Sequence, residues 1–354
     1  MAALLSEVSN VNHVSDRYSR QILFPPIGAE GQKKIAAARC LIMGCGALGT
    51  NLANAMARAG VGRIKIVDRD FIEENNLQRQ CLFDEGDIAA GLPKAVAAER
   101  KLRQINSKIS IEGVVADINY TNVEGFVREA DLVLDGTDNF ETRFLLNDAC
   151  VKNRVPWIYG GCVGSTGMTM NIIPGETPCL RCVWEDSPPP GFAPTCDTAG
   201  IIGPIASVVA ALECAEALKI LTGNRTELSR DLVTVDLWPL SVVRHPVAPL
   251  RETADCPACK HGRFKALEPQ ESSHITALCG RQAVQITPRA PDRLDLAALG
   301  NTLGKQGKVI ANPFMLKFAV NEFELTVFPD GRAIVQGTKD VAVAKTLYAK
   351  YVGH

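Results

Sequence analysis

The residues best suited to chemistry form a glycine-rich turn between a short apolar run and a helical pattern. Gly44, Gly46 and Gly49 follow the apolar residues 40–43 with G-x-G-x-x-G spacing. Glycines at this spacing permit a tight turn, a close approach of the backbone to a phosphate, and close packing of the next helix. The amides at the start of that helix favour an anion. The turn therefore predicts a nucleotide site.

An aspartate supports this interpretation. Asp68 follows the apolar residues 64–67 and so stands at the carboxyl end of a predicted second strand. A carboxylate there binds ribose hydroxyls in nucleotide-binding α/β folds. The motif alone favours a dinucleotide, because most such fingerprints serve dehydrogenases. A glycine turn without any ligand is the remaining alternative.

Further polar residues follow the predicted strand at residues 132–134. Asp135 and Asp138 come next, and two carboxylates at a strand's carboxyl end suit a magnesium ion that bridges phosphates. The alternative is that the Asp/Asn pair caps the following helix, and Asn139 fits that description well.

Lys94 lies in the first turn of a helix that Pro93 begins. A lysine at that position is unfavourable for the helix dipole. Either the side chain is simply exposed, as most lysines are, or a bound phosphate compensates for its position.

Twelve cysteines without a secretory signal indicate a reducing, cytoplasmic location and metal or thiol chemistry. Two C-x-x-C pairs, Cys179/Cys182 and Cys256/Cys259, are the second strong signal. Four thiolates give zinc a closed tetrahedral shell, as structural sites have. Each pair alone could be a redox motif, but two pairs together favour one shared zinc.

Cys196 differs from these cysteines because it follows a proline- and glycine-rich stretch at residues 185–194. Loops on rigid scaffolds carry much chemistry, and a thiolate is a strong nucleophile. A lone loop cysteine is nevertheless more often inert than catalytic.

The elements that must position these residues alternate between strand and helix. This rhythm predicts a Rossmann-like, mostly parallel α/β sheet with strands at residues 40–43, 64–67, 109–115, 132–134 and 155–159, and with helices near 31–38, 47–59, 93–105, 123–129 and 140–152. Gly160 and Gly161 are predicted to open a loop. Strands at 169–173 and 231–237 flank an apolar helix at 205–221 and predict an antiparallel extension.

The predicted domains are an N-terminal tail at 1–16, a main domain at 17–262, and a small C-terminal α+β domain at 266–354. The last contains predicted strands at 283–286, 308–310, 315–318, 322–327 and 333–335, and a helix at 340–351. The net charge of −1 gives no electrostatic reason to expect nucleic acid or an anionic membrane as partner. The apolar stretch at 201–212 is too short to span a bilayer.

In combination these segments resemble the ThiF/MoeB/HesA family of ubiquitin-activating-enzyme-like adenylyltransferases. The resemblance covers about residues 14–260. It is carried by RYSRQI (17–22), GCGALG (44–49), the strand end at Asp68, NNLQRQ (75–80), LPK (92–94), GTDN (136–139), PCLRC (178–182), TCDTAG (195–200) and CPAC (256–259). Nine segments in this order outweigh the dinucleotide preference, and the resemblance implies ATP.

The resemblance implies ATP-dependent adenylation of the C-terminal glycine of a ubiquitin-like sulfur-carrier protein ending in Gly-Gly, which prepares it for thiocarboxylate formation. The residues implied to hold the nucleotide are Gly44, Gly46, Gly49, Asp68, Asn76, Arg79, Lys94, Asp138 and Asn139. Asp138 is implied to bind magnesium, and Arg20 to reach the partner subunit's site in a homodimer. Cys196 matches the thiol segment implicated in thioester or persulfide chemistry.

Two departures from the family pattern stand out. The stretch before residues 92–94 is two residues longer than in typical bacterial members, and CGRQAV at Cys279 lacks the cysteine-arginine-x-glycine loop of a rhodanese. Sulfur is therefore expected from a separate donor protein.

Other interpretations remain: activation of a ubiquitin-like modifier for conjugation, adenylation of another carboxylate, a nicotinamide dehydrogenase, or a silent scaffold. Arg20, Arg79, Lys94 and Asp138 argue against the dehydrogenase, because hydride transfer needs no such polyphosphate clamp. The sequence does not name the carrier, its pathway or the role of residues 266–354.

Overall fold

The computed structural model describes residues 16–186, 196–268, 275–278, 282–287 and 294–353. The predicted tail, apart from its last residue, lies outside the described residues, as do Cys279 and most of the stretch at 185–194. The described chain divides into two compact units. The first is built from residues up to 186 and from 201–268, and the second from 196–200 and from residue 275 onward.

The first unit is built on an eight-stranded sheet. Its strands are β1 Arg39–Met43, β2 Arg63–Val67, β3 Ser110–Val114, β4 Leu132–Asp135, β5 Trp157–Val163, β6 Thr166–Ile172, β7 Leu232–Leu237 and β8 Leu240–His245. Their order across the sheet is β3-β2-β1-β4-β5-β6-β7-β8. β1 to β5 are parallel, whereas β6, β7 and β8 are antiparallel to their neighbours. This confirms the predicted Rossmann-like sheet with its antiparallel extension.

Helices of the first unit cover both faces of this sheet. They are α1 Ser19–Ile22, α2 Gly28–Ala37, α3 Ala47–Ala59, α4 Glu85–Ala89, α5 Lys94–Ile105, α6 Val123–Arg128, α7 Phe140–Asn153, α8 Leu180–Val183, α10 Gly203–Thr222 and α11 Leu250–Thr253. The intervening α9, Cys196–Ala199, belongs to the second unit. None of the helices in the described residues has the length and apolarity that crossing a bilayer requires.

Strand β1 shows why the parallel strands are apolar throughout. Cys40 and Ile42 face one hydrophobic core, which α3 and α10 complete. Leu41 and Met43 face a second core, to which α7 contributes. A strand covered by helices on both faces needs apolar residues at every position, and this pattern is what made the strand predictable.

The prediction of a loop at Gly160 and Gly161 is wrong, because both glycines lie inside β5. A Cβ atom on Gly160 would stand 2.0 Å from Oε1 of Glu213, a buried residue of α10. The glycine is therefore explained by the close approach of α10 to the sheet rather than by a turn.

Strand β8 was not predicted from the sequence. All six of its side chains are exposed, so it carries no alternation of buried and exposed positions. It pairs with β7 alone and forms one edge of the sheet.

The second unit contains a six-stranded sheet in the order β11-β12-β13-β14-β10-β9, in which neighbouring strands are antiparallel. Its elements are β9 Ile275–Leu278, β10 Ala283–Ile286, α12 Leu296–Leu303, β11 Lys308–Asn312, β12 Met315–Val320, β13 Phe323–Val327, β14 Ala333–Gln336 and α13 Val341–Tyr351. This confirms a small α+β fold, although β9 and α12 were not predicted. The domain limits stay a prediction.

Candidate functional site

In the glycine turn at residues 44–49, the backbones of Gly44 and Gly49 pack against each other and against Gly136, which follows β4. Gly44 has φ +88° and donates its N–H to the carbonyl of Val67 at 2.8 Å. A Cβ atom on Gly49 or Gly136 would stand 2.0 Å or 2.6 Å from the carbonyl oxygen of Gly44. Gly46 is different, because the nearest atom to its Cβ position is 4.0 Å away. Packing thus explains three glycines and leaves open space beside Gly46.

Asp68 links this turn to the end of β2. Its Oδ2 accepts the N–H of Cys45 at 2.5 Å, and its Oδ1 accepts the N–H of Asp70 at 2.7 Å. Burial raises the pKa of Asp68, although the nearby ammonium of Lys94 opposes this rise. The residue lies at the strand end that the sequence predicted, and its ribose contact stays a prediction.

Lys94 is buried, with only 6% of its surface exposed, so the exposed alternative is wrong. Its Nζ donates to Oδ2 of Asp70 at 3.2 Å, and its N–H donates to the carbonyl of Asp70 at 2.9 Å. Burial alone would lower the pKa of Lys94, but Asp70, Asp68 and Asp138 outweigh it and raise that pKa. A buried and charged ammonium therefore lies close to the glycine turn. Sequence reasoning missed Asp70, although its spacing from Asp68 was a usable signal.

The predicted pair of magnesium carboxylates is wrong at Asp135. This residue is fully buried and accepts hydrogen bonds from Nε of Arg143 at 3.2 Å and from Oγ1 of Thr137 at 2.6 Å. Burial raises its pKa, and the Arg143 guanidinium opposes that rise. Asp135 thus holds the loop after β4. Asp138 is exposed, and its contact with magnesium stays a prediction.

Asn139 caps α7, as the alternative interpretation stated. Its Oδ1 accepts the N–H of Thr142 at 2.8 Å. The nucleotide contact predicted for Asn139 remains untested.

Asn76 and Arg79 lie in the segment after β2, as the motif predicted. Asn76 ends a short 3₁₀ helix and is 2% exposed, and its Oδ1 accepts the N–H of Glu73 at 3.1 Å. Nη1 of Arg79 donates to the carbonyl of Asn75 at 2.6 Å. These contacts shape the segment, while the predicted ribose and phosphate contacts stay predictions.

The structure does not bring Arg20 to the glycine turn of its own chain. The next residue, Gln21, donates from Nε2 to the carbonyl of Ala59, at the far end of α3, at 3.0 Å. The glycine turn leads into the opposite end of that helix, at Ala47. With a rise of 1.5 Å per residue, the two ends are about 18 Å apart. The side chain of Arg20 is exposed.

Cys196 is the first residue of α9, so the prediction that it lies on a loop is wrong. The side chain of Cys196 is half-buried, and the residue belongs to the second unit.

The four predicted zinc ligands lie together. Their Sγ atoms are 3.8 Å apart for Cys179 and Cys182, 3.5 Å for Cys179 and Cys256, and 3.4 Å for Cys182 and Cys259. All four atoms lie within 4.8 Å of one another. Zinc–sulfur bonds of 2.3 Å in a tetrahedron place sulfurs about 3.8 Å apart. The cluster therefore fits one zinc ion with a closed shell.

Residues of α7 support this cluster, and sequence reasoning missed them. Asn147 donates from Nδ2 to Sγ of Cys179 at 3.8 Å and accepts the N–H of Leu180 at 2.8 Å. Asp148 is buried and accepts from Nε of Arg181 at 2.8 Å. Such outer contacts orient metal ligands, and they attach the cysteine cluster to the helix that begins beside Asp138.

Comparisons with known proteins agree on one family. The model of the ThiF family matches residues 18–258. The sulfur carrier protein ThiS adenylyltransferase of Bacillus subtilis is 45% identical over 341 residues, which cover 96% of this chain and the full length of that protein. The SAMP-activating enzyme E1 of Haloferax volcanii is 35% identical over 253 residues, covering 72% of this chain and 92% of that protein.

Among solved structures, E. coli MccB with ATP superposes with a TM-score of 0.59 at 28% identity, covering 70% of this chain and 74% of that one.

Two alanine substitutions in the glycine turn should have different effects, one on stability and the other on ATP binding. Gly49→Ala should destabilise the fold by about 1–3 kcal/mol, because its Cβ would meet the Gly44 carbonyl at 2.0 Å. Gly46→Ala has no such clash and should melt like the wild type. Its methyl group would, however, fill the open space beside the turn, so ATP should bind at least about tenfold more weakly. Thermal unfolding and calorimetry measure both; wild-type ATP affinity in Gly46→Ala would contradict the assignment.

Proposed function

The chain belongs to the ThiF family, and we propose that it uses ATP to adenylate the C-terminal glycine of a small ubiquitin-like sulfur-carrier protein, preparing that carboxyl group for thiocarboxylate formation. It is an adenylyltransferase, as its curated relatives are. The observation that carries the proposal is the buried, charged Lys94 beside a glycine turn with open space at Gly46. The ThiS named in the Bacillus subtilis relative and the ATP of the MccB structure support the choice of carrier and nucleotide.

The reaction needs stabilisation of charge rather than a proton transfer. A carboxylate oxygen of the carrier forms a bond with the α-phosphorus of ATP, and the bond to the β-phosphate breaks to release pyrophosphate. Gly46 would admit the phosphates and Asp68 would hold the ribose. Lys94, with Arg79 and Asn76, would offset the negative charge that collects around the α-phosphate. A magnesium ion at Asp138 would supply further positive charge when bound.

The exposed edge of the first sheet offers a docking surface for the carrier. Trp238 is 80% exposed, Leu240 77% and Val242 63%. β6 runs antiparallel to β5, and β7 runs antiparallel to β6, so β7 has the same direction as the parallel strands. The β7–β8 turn follows the carboxyl end of β7 and therefore lies on the same side of the sheet as the glycine turn, which follows the carboxyl end of β1. At about 4.8 Å per strand, β8 lies about 24 Å from β1, the strand that leads into the glycine turn. About seven extended residues span that distance, so a carrier docked at β8 can reach the site with its C-terminal tail.

The exchange of pyrophosphate into ATP tests the proposed half-reaction. Wild-type protein should catalyse this exchange only with a carrier that ends in Gly-Gly. Lys94→Ala and Asp138→Ala should each reduce it at least about a hundredfold, because a group that stabilises developing charge is lost. Lys152→Ala, which removes an exposed lysine paired with Glu124, is the matched control and should leave exchange unchanged. Tighter binding of NAD than of ATP–magnesium would contradict the proposal.

Cys196 is assigned to the step after adenylation. Its thiolate would attack the activated carboxyl group, form a thioester and release AMP, and sulfide-level sulfur from the donor would then displace the Cys196 thiolate to leave the thiocarboxylate. Alternatively, a persulfide on Cys196 would attack, form an acyl disulfide and release AMP, and a second thiol would then break the S–S bond to free the thiocarboxylate. An acyl adenylate is already electrophilic, so Cys196→Ser should keep pyrophosphate exchange and lose sulfur delivery. We expect a separate protein to donate the sulfur. Loss of exchange in Cys196→Ser would instead mean that this segment shapes the adenylation site.

A charged substitution in β8 tests the proposed docking surface for the carrier. Leu240→Asp should raise the KM for the carrier about tenfold or more, because a central apolar contact becomes charged. The affinity for ATP should not change. Ile310→Asp, at an apolar position of the second unit that is 57% exposed, is the matched control and should behave as wild type. An unchanged carrier KM in Leu240→Asp would exclude β8 as the docking surface.

A homodimer explains the position of Arg20. Gln21 fixes its segment to the far end of α3, and the Tyr18 hydroxyl accepts a hydrogen bond from Asn106, which follows α5. The neighbours Leu23 and Phe24 are 68% and 57% exposed. An arginine side chain cannot cover the distance of about 18 Å to its own glycine turn. Exposed apolar residues beside a cation are suited to a subunit interface, so Arg20 would complete the partner's site.

Mixed dimers test this arrangement. Arg20→Ala and Asp138→Ala chains should each be inactive alone and should regain part of their activity when mixed, because one hybrid site contains both groups. Lys94→Ala mixed with Asp138→Ala is the control, since no hybrid site regains both residues, and it should stay inactive. Absence of rescue in verified heterodimers would show that Arg20 does not act across the interface.

One relative favours a second candidate function. The Haloferax volcanii protein is named an E1 enzyme, and a related activity here would pass the adenylated carrier to another protein as a modifier. Mass spectrometry of the carrier separates the two, because sulfur transfer leaves a free thiocarboxylate whereas conjugation leaves an amide bond to a second protein.

A further inference from the structure

Arg69 follows Asp68 directly, and a carboxylate beyond the neighbouring strand holds its guanidinium in place. Nη1 of Arg69 donates to Oδ1 of Asp117 at 2.6 Å, and its Nε lies 3.8 Å from Oδ1 of Asp70. The Arg69 side chain is 34% exposed and that of Asp117 18%. Burial alone would lower the pKa of Arg69, but Asp117 and Asp70 outweigh it and raise that pKa. The pair is thus well ordered and charged, and it still meets solvent.

The pair stands where the base of a bound nucleotide would lie. In the proposed site the phosphates lie at Gly46, after β1, and the ribose lies at Asp68, after β2. A nucleotide that runs in this direction continues towards β3, about 4.8 Å further on. The ends of β2 and β3 are joined there, because Asp68 donates its N–H to the carbonyl of Val114 at 3.1 Å. The contact between Arg69 and Asp117 bridges the segments that follow these two strands.

The chemistry of the pair fits a flat, uncharged ring. The hydrogen bonds of a guanidinium lie in its plane, so its faces stay available for stacking on an aromatic ring. Asp117 already accepts a hydrogen bond from the edge of the Arg69 guanidinium, which holds that group in a fixed plane and leaves its faces as the surface offered to a ligand. We propose that Arg69, oriented by Asp117, stacks on the adenine of ATP and recognises the base, an inference that rests on the proposed adenylation function.

The test separates binding of the base from binding of the phosphates. Calorimetry would compare ATP–magnesium with tripolyphosphate–magnesium on wild type, Arg69→Ala and Arg69→Lys. Both variants should bind ATP about five- to thirtyfold more weakly, since Lys keeps the charge but loses the planar face. Both should bind tripolyphosphate as wild type does. Lys94→Ala is the matched control and should lose affinity for both ligands.

Two results would overturn the inference. Wild-type affinity of Arg69→Lys for ATP would show that the planar face is not used. Equal loss of ATP and tripolyphosphate in Arg69→Ala would make Arg69 a phosphate contact. Circular dichroism of both variants checks that each is folded. Failure of the wild-type protein to bind ATP would instead contradict the proposed function itself, so the two failures are distinguishable.

Discussion

The close contact among the backbones of Gly44, Gly49 and Gly136 is the constraint on which the site depends. It brings the ends of β1 and β4 and the start of α3 closer together than any side chain would allow. Gly46 has open space beside this contact. The amides of the turn and of the helix start can therefore bind an anion without a competing side chain. The loop that carries Asp138 begins at the same contact, through Gly136. One packing requirement thus positions both sides of the proposed phosphate site.

Charge is the second constraint, and it explains why the site draws on several elements. Lys94 is buried, and Asp68, Asp70 and Asp138 already take up much of the positive charge that it could offer a phosphate. A triphosphate adds further negative charge. The proposed site meets this need with a magnesium ion at Asp138 and with Arg20 from the partner subunit. Dimerisation and metal binding are then requirements of the nucleotide's charge. The cysteine cluster supports α7 at its middle, through Asn147 and Asp148.

The sequence predicted what depends on local pattern and failed where distant contacts decide. The parallel strands were predictable because burial on both faces leaves continuous apolar runs. The cluster of four cysteines was predictable because two C-x-x-C pairs in one chain are typical of a shared metal site. β8 has no buried face and so no pattern. Gly160 was misassigned because glycine usually marks turns, whereas here it admits the carboxyl group of Glu213. Asp135 was misassigned because no spacing rule shows that Arg143 folds back to pair with it.

Intact-mass spectrometry of a carrier, after incubation with ATP–magnesium and this protein, detects the proposed transfer of AMP to its terminal carboxyl group. We expect a carrier ending in Gly-Gly to gain the mass of one AMP, pyrophosphate to form in equal amount, and a carrier lacking the last glycine to stay unmodified. A carrier whose mass does not change while ATP is consumed, or AMP attached elsewhere than at the last glycine, would show that the protein does not act in this way.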